Sequence, residues 1–185
     1  MIVNSPICDF GWKAEKFELL SVDDNYYSLD SLIGSNGTVV VFICNHCPYV
    51  KAIADRLSDE ATALKDIGVN TIAIMSNDVN IYPEDSFENM KKFSYHHNFH
   101  FQYLYDKTQI VAKKYKAECT PDFYGFNNDL ELNYRGRIDS GTMNNKNSYI
   151  ERELFNAMKL ISETNKGPNI QHNSFGCSIK WIKNG

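Results

Sequence analysis

VVVFICNHCPYVKAIADRL, residues 39–57, carries an apolar run into two cysteines spaced C-x-x-C, Cys44 and Cys47, with His46 between them and Pro48 directly behind. The run begins earlier, as GTVVVFI (Gly37–Ile43), a continuous β-branched stretch of the kind that forms a strand covered on both faces. Behind the cysteines, Val50, Ile53, Ala54, Leu57, Ala61 and Leu64 recur at helical spacing, and Gly68 supplies a stop. A thiol at a helix N-terminus sees unpaired N–H groups and the positive end of the dipole, which favour thiolate. A second cysteine three residues away lies about one turn along, within reach to donate to that thiolate and later to attack a mixed disulfide. His46 adds positive charge when protonated, and Pro48 suits a first helical turn, where its missing N–H is not required. Strand, C-x-x-C and helix in succession read as a dithiol redox site.

Working outward, strand and helix signals alternate. VNTIAIMSND (Val69–Asp78) reads as a second buried strand. Pro83, Glu84 and Asp85 open a helix that carries Phe87, Met90 and Phe93 three residues apart. A short segment, Phe101–Tyr105, precedes an expected helix from about Lys107 to Lys116. Residues 121–138 read as a β-hairpin turning at Asn127-Asn128-Asp129. A last helix is expected from about Asn147 to Ile161, with Ile150, Leu154, Phe155, Met158 and Ile161 on one side. The order predicts an α/β domain, a mixed central sheet flanked by helices, over residues 1–163 with an N-terminal extension. Residues 164–185 form a tail that docks on the domain through Phe175, Ile179, Trp181 and Ile182.

Composition narrows the function. A chain of 185 residues with 43% hydrophobic content supports one well-buried core. Nineteen basic and 23 acidic residues leave a formal charge of −4 without a basic stripe, so nucleic acid and anionic membrane are poor partners. Neither a signal-peptide pattern nor an apolar window of membrane-spanning length is present, and a cytoplasmic protein is expected. Five cysteines, an odd number, suit catalysis, metal binding or burial in a reducing compartment better than a disulfide framework.

Cys119-Thr120-Pro121 follows the expected third helix and opens a strand. In this the chain resembles the thioredoxin superfamily, whose cis-proline loop faces the C-x-x-C motif. The phrases CNHCPYVKA (44–52), CTPDFYGFN (119–127), YRGRID (134–139) and GCSIKW (176–181), in that order, are similar to a peroxiredoxin-like subgroup of the AhpC/TSA (redoxin) family. The resemblance implies a thioredoxin-like fold, redox-active thiols serving antioxidant or redox homeostasis, and no cofactor. It implies substrate contacts at Pro48, Cys119, Thr120 and Pro121. Peroxiredoxins carry T-x-x-C and an arginine before the cis-proline strand; here Cys44 replaces the threonine and Thr120 the arginine, with Arg135 and Arg137 as substitutes from the hairpin. The buried acid and the tryptophan of thioredoxins fall at Thr38 and Ile43, so His46 is the nearest proton acceptor.

The preferred mechanism is disulfide exchange: Cys44, as the exposed member, attacks a protein or small-molecule disulfide, Cys47 resolves the mixed species, and a thiol reductant system regenerates the pair. In the alternative a peroxide oxidises Cys47 and Cys44 resolves. A second alternative is a metal or Fe–S module on Cys44, Cys47 and Cys119, with His46 as a further ligand. His96, His97 and His100 read as a solvated helix end, Tyr49 as a packing residue and Cys8 as structural. Cys177 is equally a resolving thiol or a buried anchor, and a homo-oligomer is one state the resemblance allows.

Overall fold

The computed structural model describes residues 1–141 and 150–183. Along the chain lie β1 (Ile2–Asn4), β2 (Glu18–Ser21), β3 (Tyr26–Ser28), α1 (Leu29–Leu32), β4 (Gly37–Phe42), α2 (Pro48–Asp66) and β5 (Val69–Met75). A 3-10 turn (Pro83–Asp85) leads into α3 (Phe87–His96), followed by β6 (Gln102–Tyr105), α4 (Ile110–Lys114), β7 (Cys119–Thr120), β8 (Asp122–Phe126), β9 (Leu132–Gly136), α5 (Glu153–Thr164) and β10 (Phe175–Ser178).

Every residue of β4 is buried, and the strand's two faces feed two cores. Val39, Val41 and Ile43 join the core built with α2, α3 and α5, whereas Val40 and Phe42 join the one covered by α1, α4 and the N-terminal segment. Alternation along a pleated strand therefore explains the unbroken apolar run: both faces need side chains that leave water. The main sheet has the order β3-β2-β6-β5-β4-β8-β9. β4 pairs parallel with β5, and β5 with β6, while β4 with β8 and β8 with β9 are antiparallel. The sheet is mixed, with helices on both faces.

Several boundaries differ from the sequence reading, each for a local reason. α4 begins at Ile110 rather than Lys107, because Gln109 adopts a left-handed φ of 61° and Asp106 caps from outside, its Oδ2 accepting from the Ala112 N–H at 2.9 Å. α5 begins at Glu153; Glu151 instead accepts from the Ser140 N–H and donates its own N–H to Ser140 Oγ, and the part of the expected helix at Asn147–Tyr149 lies outside the described residues. The hairpin loop is longer than its expected turn. Asn127 Oδ1 accepts from the N–H groups of Asp129 and Glu131, and Leu130 takes a φ of 57°.

β10 forms a second, three-stranded sheet in the order β1-β10-β7. Only Ile179 of the expected tail anchors is buried, at 4% exposure; Phe175 and Trp181 are each 38% exposed and Ile182 41%. The backbone of β10 ties the tail down more than its side chains do. Gly176 permits this, since a Cβ there would run into the Thr120 carbonyl oxygen.

Candidate functional site

β4 delivers Cys44 one residue past its last apolar positions, and α2 begins with Pro48, so Cys47 stands at the N-cap. Both cysteines are fully buried in the α2-side core. The Thr120–Pro121 peptide, opposite them, is cis. Cys44 Sγ lies 3.4 Å from Thr120 Oγ1, and Cys47 Sγ lies 3.2 Å from the Thr120 carbonyl oxygen. Protonated, Cys47 donates to that carbonyl. Ionised, its sulfur accepts from Cys44 above all; the Cys177 thiol and the N–H groups of Val50 and Cys177 assist, and together they outweigh burial and lower its pKa to about 5. Donation to Cys47 raises Cys44 well above the usual thiol range, with burial and the charge of Asp85 adding to the effect. Of the pair, Cys47 is thus the thiol pushed down and Cys44 the one pushed up. The exposure expected of Cys44 is corrected, since its side chain is covered, and the thiol whose pKa is lowered is that of Cys47.

The residues between the cysteines are pinned by a group that the sequence reading took only as a helix start. Asp85 is fully buried and accepts through Oδ1 from the N–H groups of Asn45 (2.8 Å) and His46 (3.1 Å). Its Oδ2 meets His46 Nδ1 at 2.6 Å and accepts from Asn77 Nδ2 at 2.8 Å. Such an arrangement fixes the imidazole orientation and favours Nδ1 as the protonated nitrogen. The ring also stacks on Tyr82, with centroids 4.8 Å apart and planes 12° from parallel. Tyr103, buried, donates to Asn45 Oδ1 at 3.0 Å, and Lys180 of the tail donates its N–H to Asn77 Oδ1 at 2.8 Å. Asp85 supplies the buried acid that β4 lacks. Thr38, at the corresponding strand position, accepts from the Gly34 N–H.

The remaining candidates separate. Pro48 is exposed on the first turn of α2, and Tyr49 beside it packs edge-on against Phe175 at 5.5 Å. Tyr49, Ile53, Pro121, Ile138 and Phe175 line one largely apolar cleft. Cys119 is buried with its sulfur toward the Pro121 carbonyl (3.7 Å), and burial pushes its pKa far up. Arg135 donates to Asp122, Tyr124 and the Lys116 carbonyl, and Arg137 forms a two-pronged pair with Glu153. Both guanidinium groups are thereby paired with acids, Arg137 while it lines the same cleft as Tyr49 and Pro121. His97 is tied to Asp55 at 2.6 Å, and burial raises Cys8 to about 12.

Among the described residues, the side chains grouped closely enough to share a metal ion are Cys44, His46 and Asp85, whose donor atoms lie within 4.8 Å of one another. Cys47 and Cys119 are outside that group. The Asp85 oxygens already meet four N–H or ring-nitrogen partners, so the grouping fits a proton-handling acid–imidazole–thiol cluster better than an open ligand set.

A family model described as AhpC/TSA family matches residues 10–140, a span that contains both cysteines and the cis-proline and stops short of the tail. No curated protein matches the sequence. Among solved structures, an uncharacterized conserved protein from Geobacillus kaustophilus is 42% identical, with a TM-score of 0.94 over 100% of this chain and 98% of that one. A hypothetical protein from Sinorhizobium meliloti is 31% identical, with a TM-score of 0.92 over 98% and 99%. A secreted disulfide oxidoreductase from Mycobacterium tuberculosis is 22% identical, with a TM-score of 0.54 over 63% of this chain and 79% of its own; that likeness is one of fold, which is thioredoxin-like.

Proposed function

The chain belongs to the AhpC/TSA family, and on that premise we propose that it is a thiol–disulfide oxidoreductase whose redox couple is Cys44 and Cys47. The observation that carries the reading is the placement of the two sulfurs, one past the end of β4 and one at the N-cap of α2, both against Thr120 at 3.4 and 3.2 Å, with Cys47 the thiol whose pKa is lowered. In the first step the Cys47 thiolate attacks one sulfur of a substrate disulfide. A Cys47–substrate bond forms, the substrate S–S bond breaks, and one thiolate leaves. Consumption of the Cys47 charge removes the main influence that held the proton on Cys44. His46, braced by Asp85, accepts that proton, and Cys44 then attacks Cys47 Sγ and expels the second substrate thiol. The Cys44–Cys47 disulfide returns to the dithiol with two electrons from a thiol reductant. Thr120, Pro121 and Cys119 form the opposing wall, and Pro48 lies at the rim. The setting is cytoplasmic redox homeostasis; among the described residues no helix is long and apolar enough to cross a membrane.

A second reading rests on the burial of both sulfurs. A peroxide is small enough to reach a covered Cys47 thiolate, oxidise it to sulfenic acid and leave Cys44 to condense with it. Against speed in that reaction stands the pairing of Arg135 with Asp122 and of Arg137 with Glu153. Trapping separates the readings. With an aromatic disulfide and Cys177 replaced by Ser throughout, Cys44→Ala is expected to hold a stable adduct on Cys47, while Cys47→Ala holds none on Cys44. An adduct on Cys44 would overturn the assignment. Peroxide consumption far faster than disulfide exchange would transfer the function to the second reading.

A further inference from the structure

The couple described above has no exposed sulfur: Cys44 and Cys47 are both at 0% exposure. A disulfide between them would offer an external thiol far less surface than a partly exposed sulfur does, and a third cysteine packs against the same core cluster. β10 runs antiparallel to β7 with Cys177 opposite Thr120, the same residue whose carbonyl contacts Cys47. Cys177 packs against the core cluster that contains Cys44 and Cys47, and it is only partly buried. The two thiols are near enough to act on each other's pKa, Cys177 lowering Cys47 and Cys47 raising Cys177. Three features hold it there. Gly176 admits the strand against the Thr120 carbonyl, β1 backs it through the Ile2–Cys177 register, and the Lys180 and Asp78 backbones lock the segment that follows.

We propose that Cys177 is the electron port of the buried couple, a third redox thiol that carries disulfide exchange between Cys47 and thiols in solution. The inference rests on the reading of Cys44 and Cys47 as the redox couple. Starting from the Cys44–Cys47 disulfide, Cys177 as thiolate attacks Cys47 Sγ: a Cys47–Cys177 bond forms, the Cys44–Cys47 bond breaks, and Cys44 leaves as a thiolate that takes up the proton given up by Cys177. No electrons are gained or lost in this isomerisation. An external thiolate then attacks the accessible Cys177 sulfur, and Cys47 departs as the thiolate. A second external thiol attacks the resulting mixed disulfide on Cys177, restoring its thiol. The sum is two external thiols oxidised to one disulfide and one protein disulfide reduced to two thiols. Cys47 suits the leaving role because a sulfur of low proton affinity leaves faster, while Cys177, whose thiol is raised to about 11 by burial and by donation to Cys47, loses that second restraint once Cys47 is oxidised. Lys180 and the chain N-terminus also favour its ionised form.

The test uses the full chain, 5,5′-dithiobis(2-nitrobenzoate) as the disulfide, and peptide mapping under non-reducing conditions. In Cys44→Ser the proposal expects two thionitrobenzoate anions released for each disulfide formed between Cys47 and Cys177. Cys44→Ser/Cys177→Ser should release one at Cys47 and retain the other as a Cys47 adduct. In otherwise native protein, Cys177→Ser should slow reduction of the Cys44–Cys47 disulfide by glutathione at least about tenfold, with Cys8→Ser as the control that does not. A stable Cys47 adduct in Cys44→Ser, with Cys177 still open to alkylation, would overturn the port and leave the couple intact. A Cys47 that takes no label, with the adduct on another cysteine in Cys44→Ser/Cys177→Ser, would overturn the couple and the port with it. Matching circular dichroism and melting temperatures for Cys177→Ser and Cys177→Ala establish that the strand is still docked.

Discussion

Asp85→Ala removes the acceptor on which the C-x-x-C loop is hung. Four donors converge on that carboxylate: two backbone N–H groups, from Asn45 and His46, and two side-chain groups, His46 Nδ1 and Asn77 Nδ2. Each buried donor left without a partner costs about 1–3 kcal/mol. The His46 side chain is 20% exposed and can turn to water, which relieves part of the loss, whereas the Asn45 N–H is enclosed. A net destabilisation of about 3 kcal/mol is expected, roughly a hundredfold in the folding equilibrium. Asp85→Asn keeps the shape and one acceptor oxygen and should lose about half as much. Urea unfolding with linear extrapolation measures both, with an unchanged slope expected. A second readout separates anchoring from bulk stability. At urea-free conditions where each variant is folded, release of the second thiol from an aromatic disulfide should slow in Asp85→Ala, because His46 is no longer braced beside Cys44. A loss below about 1 kcal/mol together with native second-release kinetics would refute the reasoning.

Other perturbations act on separate parts of the account. In Cys44→Ala the main donor to the Cys47 thiolate is gone, so the midpoint for iodoacetamide reaction at Cys47 should climb from about 5 toward the ordinary thiol value of 9.0, and Cys44→Ser should recover part of the shift. Asp122 is raised by burial from 3.8 to about 6, partly opposed by Arg135, so the folded state binds its proton more tightly than the unfolded chain does. Its contribution to stability therefore falls as pH rises from about 4 to about 6, and the difference in urea midpoint between Asp122→Asn and the native chain should change across that window and be flat above it. Gly176→Ala should force β10 away from β7, raising the alkylation rate of Cys177 with little change in far-ultraviolet circular dichroism.

Legibility tracked how local each determinant is. β4, β5 and α2 announce themselves because their burial patterns are written in consecutive residues or in one helical period. β1 has three residues with only one of them partly covered, and β10 alternates weakly; each is a strand because the other pairs with it across the whole length of the chain. The β2–β3 hairpin was likewise unread, its turn being made by Asp23 and Asp24, the latter at φ 67°, rather than by glycine. Contacts of Cys44 and Cys47 with Thr120 join residues 76 and 73 apart, and only resemblance to a known family made them foreseeable. Asp85 shows the limit most clearly. Its neighbours Pro83 and Glu84 make it look like helix capping, and only the fold reveals that its backbone partners lie 40 and 39 residues upstream. The solvent exposure assumed for Cys44 failed for a related reason: Thr120, which meets its sulfur, lies 76 residues downstream.

The central claim, that Cys44 and Cys47 are one redox couple, is tested most directly by redox equilibration of Cys177→Ser protein in buffers of glutathione and its disulfide, with peptide mapping of the quenched samples. The account predicts a single two-electron transition, about 30 mV for each tenfold change in the ratio, in which the Cys44–Cys47 disulfide replaces both thiols together. Two thiols that stay free across the whole range, or that titrate independently with glutathione on one and not the other, would contradict it.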